Sequence, residues 1–381
     1  MRHRDQFCDE FNILALQFKR SMKILYIVVA MALWAACGSD TKNLSTAKGH
    51  SGEVYVVIDS AQSKGPLGHV VDSILGAEMP GLPRKESQFK IRWVDARRLN
   101  YVIKEQRNLV YVLTLDQQTP GATIIKRLFT PESITMIKSD PSKFMMTASD
   151  VFARGQEVAY LFGTDETTLA SNLRSQGSRL VSYFNQKEKD RLTRSLFKSG
   201  MVTGVSQILE KEFNCTLQVP FGYKLADKSD EFLWIRQINP RDDKDIFISR
   251  KPYVSQLDFK KENLIHFRDQ VCKKYLFEDP DDPTTYLLTE TTIPFVPVTA
   301  DTVNFNGRFA IQLRGLWRTN TLGMGGPFLG FAIVDEPSGQ FYYIEGFTIS
   351  PGKAQREIMR ELETILYTFK AGTEAITGKT R

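Results

Sequence analysis

The spacing of apolar and polar positions changes several times along the chain, and each change predicts an element. Residues 24–36 are an unbroken apolar run of 13 residues, preceded by Lys23 and followed after Cys37 by the polar stretch G-S-D-T-K-N. Past that stretch, V-Y-V-V-I at 54–58, L-V-Y-V-L-T-L at 109–115 and residues 158–162 are short apolar runs of strand length, and residues 89–94 read as a further strand. Helical spacing intervenes between them. Val70, Val71, Ile74 and Leu75 form a stripe within 67–77; Leu169, Leu173, Leu180, Val181 and Phe184 form a second, with Thr164 as its predicted N-cap.

The second half runs in a comparable order. Val205, Ile208 and Leu209 mark a helix leading into Val219-Pro220 and Tyr223-Lys224-Leu225, then strands at 232–235 and 246–249. In the first half the helix with Ile74 and Leu75 leads into Leu82-Pro83, Phe89-Lys90-Ile91 and the strand at 109. A diverged duplication and chance similarity between two ordinary helix-strand-strand units account for this order equally well, and no short repeat period is present. The last third reads as a β-meander, with Asn306-Gly307 as a two-residue hairpin signal and Glu336-Pro337-Ser338-Gly339 as a second turn. Ser350 as N-cap with Pro351 at the first position predicts a closing helix whose core stripe is Ile358, Leu362, Ile365, Leu366 and Phe369. Strands followed by packed helices, with mostly antiparallel pairing, make the predicted class α+β.

A chain of 381 residues exceeds what one core usually holds, so two halves are predicted, 53–186 and 187–370, with 371–381 as a disordered tail. Residues 22–36 combine a positive start, an apolar run and small residues before Cys37, the pattern of a lipoprotein signal peptide with Cys37 as the lipidated residue. The run is too short for a membrane-spanning helix, which needs about 20 apolar residues. One departure from the pattern is Trp34, three places before the cysteine, where such signals usually carry Leu. Residues 1–21 precede a complete signal and read as a mis-assigned upstream extension, with translation starting at Met22. Residues 37–52 then form the lipid-bearing cysteine and a small polar tether with a span of about 20 Å. These readings put the protein in the envelope of a Gram-negative bacterium, anchored to the membrane by its N-terminal lipid and facing the periplasm or the cell surface. Removing residues 1–36 takes away five basic and three acidic side chains and lowers the formal charge from +6 to +4. The remaining charges are interspersed, so no nucleic-acid partner is expected.

Few motifs carry chemistry. Ser195-Leu196-Phe197-Lys198 matches S-x-x-K, but the K-T-G and S-D-N companions of penicillin-binding enzymes are missing. The tail G-T-E-A-I-T-G-K-T is one residue too long for a phosphate loop, and no strand leads into it. His3, His50, His69 and His266 are scattered, and the acidic stretch at 278–283 is stiffened by two prolines, so no metal site or cofactor is expected. Cys215 and Cys272 both fall on predicted core faces; an oxidising envelope permits a disulfide between them, and two buried free thiols are the favoured alternative. In the meander, alternation puts Ile311, Leu313 and Trp317 on one face and Gln312 and Arg314 on the other. Arg314 and Glu345 are charged residues within apolar strands, and Met324, Gly325, Gly326 and Pro327 join two strands with paired glycines. Together they make a candidate ligand or partner site, with a structural ion pair beside a tight loop as the plainer alternative.

Three segments carry a family resemblance: R-G-L-W from Arg314 to Trp317, M-G-G-P-F from Met324 to Phe328, and the closing P-G-K…R-E-I-M-R-E-L-E-T-I-L-Y-T-F. With E-V-Y-V-V-I and R-N-L-V-Y-V earlier in the chain, the sequence resembles a domain-of-unknown-function family of Bacteroidetes lipoproteins over residues 53–370. The resemblance implies a lipid-anchored envelope protein and brings no activity, cofactor or catalytic residue with it. The leading expectation is a non-catalytic module that binds an envelope protein or glycan or serves an assembly. The alternative is a hydrolase or transferase of envelope polymers using Arg314, Glu345 and the 324–328 loop.

Overall fold

The computed structural model describes residues 44–240 and 242–372. The predicted signal peptide, Cys37 and the tail beyond Gly372 lie outside the described residues. From Ala47 onward the described chain belongs to one compact unit, which contains both large sheets. None of the described helices is long and apolar enough to cross a membrane.

The first sheet contains β1 (Glu53–Ile58), β2 (Lys90–Asp95), β3 (Asn108–Thr114), β4 (Met145–Ser149) and β5 (Glu157–Gly163), in the order β2-β1-β3-β5-β4. All pairings are parallel except that of the edge strand β4. A parallel sheet is covered on both faces, so its inner strands are apolar at nearly every position instead of alternating. All seven residues of β3 are buried, and β5 is buried everywhere but at Tyr160. Helices Pro66–Leu75, Glu166–Gln176 and Ser178–Leu196 cover one face, and Pro120–Lys126 covers part of the other. The stripe from Leu169 to Phe184 is thus two helices, not one, broken at Gly177, where a Cβ would stand 2.5 Å from Ile74 Cδ1. The cap of the first is Asp165, whose carboxylate accepts from Thr168 N at 2.9 Å; Thr164 donates to that same carboxylate.

The second sheet is wholly antiparallel. After the short β6 (Cys215–Thr216) it takes in β7 (Lys224–Lys228), β8 (Phe232–Asn239), β9 (Asp242–Pro252), β10 (Phe277–Asp279), β11 (Asp282–Glu290), β12 (Thr299–Phe305), β13 (Arg308–Thr319), β14 (Gly325–Asp335) and β15 (Gln340–Ile349). Its order is β10-β11-β13-β14-β15-β9-β8-β7, with β12 also on β13, and β16 (Lys370–Ala371) pairs with β6. Helices Thr203–Phe213 and Arg356–Leu366 cover one face and Lys261–Tyr275 the other. The class is α+β, with most strands antiparallel and helices packed on them. Asn306 and Gly307 both adopt positive φ between β12 and β13, as the two-residue hairpin requires.

Several expectations are corrected. The halves are not copies of one topology: β2 pairs in parallel with β1, whereas β7 pairs antiparallel with β8, so the shared helix-strand order does not extend to the sheet. A boundary between 186 and 187 would cut the continuous helix Ser178–Leu196. The segment expected to be free up to residue 52 is fastened from Ala47 onward, where Lys48 N donates to Glu105 O and Arg107 N to Lys48 O, both at 2.8 Å. The closing helix begins at Arg356 rather than Pro351, after a turn. Its cap comes from the other half: the Glu86 carboxylate accepts from Gln355 N at 2.7 Å and Arg356 N at 3.0 Å. Cys215 and Cys272 are free and buried, in cores on opposite faces of the antiparallel sheet, which no disulfide can span.

Candidate functional site

The two halves meet around a cleft of about 550 Å³, within the usual range of ligand pockets. Its walls are two helical faces set by the same spacing. Ser182, Asn185, Gln186 and Lys189 come from the long helix, and Arg360, Glu363, Thr364 and Tyr367 from the closing helix and its C-cap. Residues at i, i+3, i+4 and i+7 share one helix face, so each group projects the same way. Asn304, Asn306, Gln312 and Arg314 enter from the β12–β13 hairpin, and Gln88 from the preceding half. Gly81, at φ +77, brings its loop against this wall; a Cβ there would lie 3.3 Å from Arg314 Cβ.

Charge in the cleft is partly paired. Arg314 donates from Nη2 to Glu363 Oε1 and from Nε to Gln312 Oε1, each at 3.0 Å. Lys189 places its ammonium 3.0 Å from the centre of the Tyr367 ring, which also stacks on Phe305 at 4.8 Å and meets Phe331 edge-on at 5.2 Å. Burial lowers the Lys189 pKa to about 8, against the opposing pull of Glu363 and Asp190. Arg360 is committed to structure: it donates to Glu357 at 3.0 Å, to Asn185 Oδ1 at 3.1 Å and to Gln88 O, and lies over the Phe89 ring. The cleft therefore offers donors, acceptors and one ammonium of depressed basicity.

The residues singled out from sequence do not converge. Arg314 lines the cleft, but its partner is Glu363 and not Glu345. Arg314 pairs across to Leu329 and Glu345 to Gly330, adjacent positions on β14, so the two side chains point to opposite faces of the sheet. Glu345 instead binds Arg268 of the helix Lys261–Tyr275 through two bonds of 2.8 Å, both residues being fully buried. Tyr343 Oη adds a bond to Glu345 at 2.7 Å, Arg268 donates to Thr289 Oγ1 at 3.1 Å, and its guanidinium lies 4.0 Å from the Phe328 ring centre. Gly325, Gly326 and Pro327 are not a loop; they belong to β14, and Met324 precedes them beside a separate cavity. The polar helix faces are masked in the sequence by the apolar stripes on the same helices. Polar residues at 182, 185, 186 and 189, and again at 360, 363, 364 and 367, were the available signal. Among the described residues no group of metal-binding side chains is assembled.

At the switch point of the parallel sheet, where doubly wound folds often bind ligands, Asp59 already accepts from Ala61 N at 2.9 Å and Thr119 Oγ1 at 2.7 Å. A Cβ at Gly121 would meet the same carboxylate. The cleft between the halves is the better candidate.

Comparison with known families follows the structural division. Residues 47–197 match a domain of unknown function, DUF8532, and residues 203–368 match another, DUF4837. Two domains of unknown function stand in tandem. Lys189 comes from the first and Arg314 and Glu363 from the second, so the cleft is shared between them. No curated protein matches the chain. Among solved structures, the Ran-binding protein Mog1p of Saccharomyces cerevisiae aligns at 12% identity over 42% of this chain and 93% of its own, with a TM-score of 0.29. The immunity protein TplEi of Pseudomonas aeruginosa aligns at 11% identity over 40% of this chain and 47% of its own, with a TM-score of 0.21. At those scores the alignments carry no argument about fold or function.

Proposed function

We propose that the protein is a lipid-anchored component of the bacterial envelope whose folded body is a non-catalytic module binding a hydroxyl-rich ligand, an envelope glycan, in the cleft. The observation that carries the binding reading is the lining itself: six amide side chains surround Arg314, Lys189 and Glu363. Amides and a guanidinium–carboxylate pair present donors and acceptors in fixed planes, which suits neighbouring hydroxyls of a sugar. Anchoring rests on the 22–37 signal and on the resemblance to Bacteroidetes lipoproteins.

Titration calorimetry with soluble glycan fragments from envelopes, using wild type and the Gln186→Ala/Lys189→Ala double variant, tests the binding reading. Saturable binding by wild type that the variant loses while remaining folded is the expected result; indifference of both proteins to every fragment would reject it. For the anchor, Cys37→Ser is expected to move the protein from the membrane to the soluble fraction and to abolish palmitate labelling. The second reading, a hydrolase or transferase, is favoured by one observation, the Lys189 amine with its pKa near 8 beside Glu363. Glycan cleavage by wild type that rises with pH through about 8 and disappears in Lys189→Met would favour it.

A further inference from the structure

A second cavity, of about 440 Å³, lies on the opposite face of the antiparallel sheet and shares no lining residue with the cleft. Its aromatic walls are Trp234, Tyr275, Phe277, Trp317 and Phe347. Three carboxylates line it, those of Asp227, Asp245 and Glu278, against the single cation Arg236. The charge on Arg236 is already answered, by Asp245 at 3.2 Å and Asp243 at 3.4 Å, and its guanidinium lies 4.9 Å from the Trp234 ring centre.

Three polar atoms of this lining are buried without a hydrogen bond: Arg236 Nε, which still lies 3.2 Å from Asp245 Oδ1 as an ion pair, and two orphans, Asp245 Oδ2, which accepts none, and Trp317 Nε1, which donates none. Asp245 is 0% and Trp317 1% exposed. Folded proteins rarely leave such groups unsatisfied, because each has lost water and gained nothing. Asp245 Oδ1 is occupied by the Trp234 indole at 3.0 Å, so the unused oxygen belongs to an otherwise positioned carboxylate. Between the two orphans lies Phe347, in register with Asp245 and with its ring 5.5 Å from that of Trp317. Gly326, opposite Trp317, places no side chain against the indole N–H; a Cβ there would sit 3.2 Å from Nε1.

We infer that this cavity binds a small organic cation, with its ammonium group on Asp245, an apolar body over Phe347 and a carbonyl or hydroxyl acceptor at Trp317. Aromatic faces attract cations through their ring quadrupoles. The excess of carboxylates repels anionic ligands. Burial pushes the Asp245 carboxyl up to about 7 despite the pull of Arg236, and a bound ammonium returns it to the charged form.

Phenylalaninamide carries all three groups, and phenylpropanamide is the same molecule without the ammonium. Trp234 and Trp317 line the cavity, so tryptophan emission of the full chain reports occupancy. Saturable binding of phenylalaninamide in the millimolar range or below is expected, at least about tenfold tighter than that of its neutral analogue. Asp245→Asn, once its circular dichroism shows a native fold, should erase this preference, while Trp317→Phe should weaken both amides alike. No saturable binding by wild type, equal affinity for the two amides, or a preference retained in Asp245→Asn would each overturn the proposal.

Discussion

Arg268–Glu345 and Arg314–Glu363 are two arginine–carboxylate pairs on opposite faces of one sheet, and they differ in what they leave over. The first is sealed: both residues are 0% exposed, and Thr289, Tyr343 and the Phe328 ring complete the surroundings. The second opens on the cleft, with Glu363 side-chain exposure at 23%. A charge within an apolar strand is therefore not by itself the mark of a site. What separates scaffold from candidate site is whether the surrounding groups exhaust the charge's hydrogen-bonding capacity or leave some of it facing open space.

The largest effect expected from that contrast is in stability. Glu345→Ala takes the bidentate partner from a buried guanidinium, leaving it only the Asp269 carboxylate at 3.7 Å, and should cost about 3–5 kcal/mol in urea unfolding, whereas Glu363→Ala should cost no more than about 1 kcal/mol. Equal losses would remove the distinction between the pairs. Asp245 is an intermediate case, buried but incompletely partnered. Its folded pKa, about 7, lies above the unfolded value, so its contribution is full below about pH 4 and is lost as pH rises through 7. Wild type should therefore lose up to roughly 4 kcal/mol relative to Asp245→Asn between pH 4 and 8. A pH-independent difference between the two unfolding curves would show that Asp245 is ionised throughout.

Smaller effects sharpen the contrast at the cleft. Glu86→Ala removes a cap supplied across the domain boundary and should cost about 1 kcal/mol, read as a lower unfolding midpoint. A fall as large as that of Glu345→Ala would mean that the cap holds the halves together rather than only completing a helix. Lys189 has a folded pKa below its unfolded one, so its charged form disfavours folding, and stability should rise as pH climbs from about 8 to about 10.5. In Lys189→Met that rise should be absent; because the side chain is partly solvated, the change is expected to stay below about 1 kcal/mol.

Strands, the Asn306-Gly307 hairpin and the antiparallel character of the second half were readable because each depends on neighbours in sequence. The parallel sheet was less so, although L-V-Y-V-L-T-L is apolar at successive positions, which only a strand covered on both faces allows. Helices Pro120–Lys126 and Pro131–Ser139, both capped by Thr and opened by Pro, carried local signals that apolar stripes alone did not reveal. Other features had no local signal. The start of the closing helix depends on Glu86, and the partners of Arg314 and Glu345 depend on which strand lies beside which. Alternation correctly separated Arg314 from Leu313, but it could not say that Glu345 faces the other way until both strands were registered on β14.

The cap from Glu86 also bears on the order of synthesis. Glu86 leaves the ribosome 269 residues before Gln355, so the acceptor for the closing helix can already be in place when that helix is made. A fragment beginning near residue 203 would make the same helix with its first turn bare. The carboxy-terminal domain is in this respect finished by a neighbour that was translated before it, so the limits of the matched domain and those of its completed hydrogen bonding do not coincide.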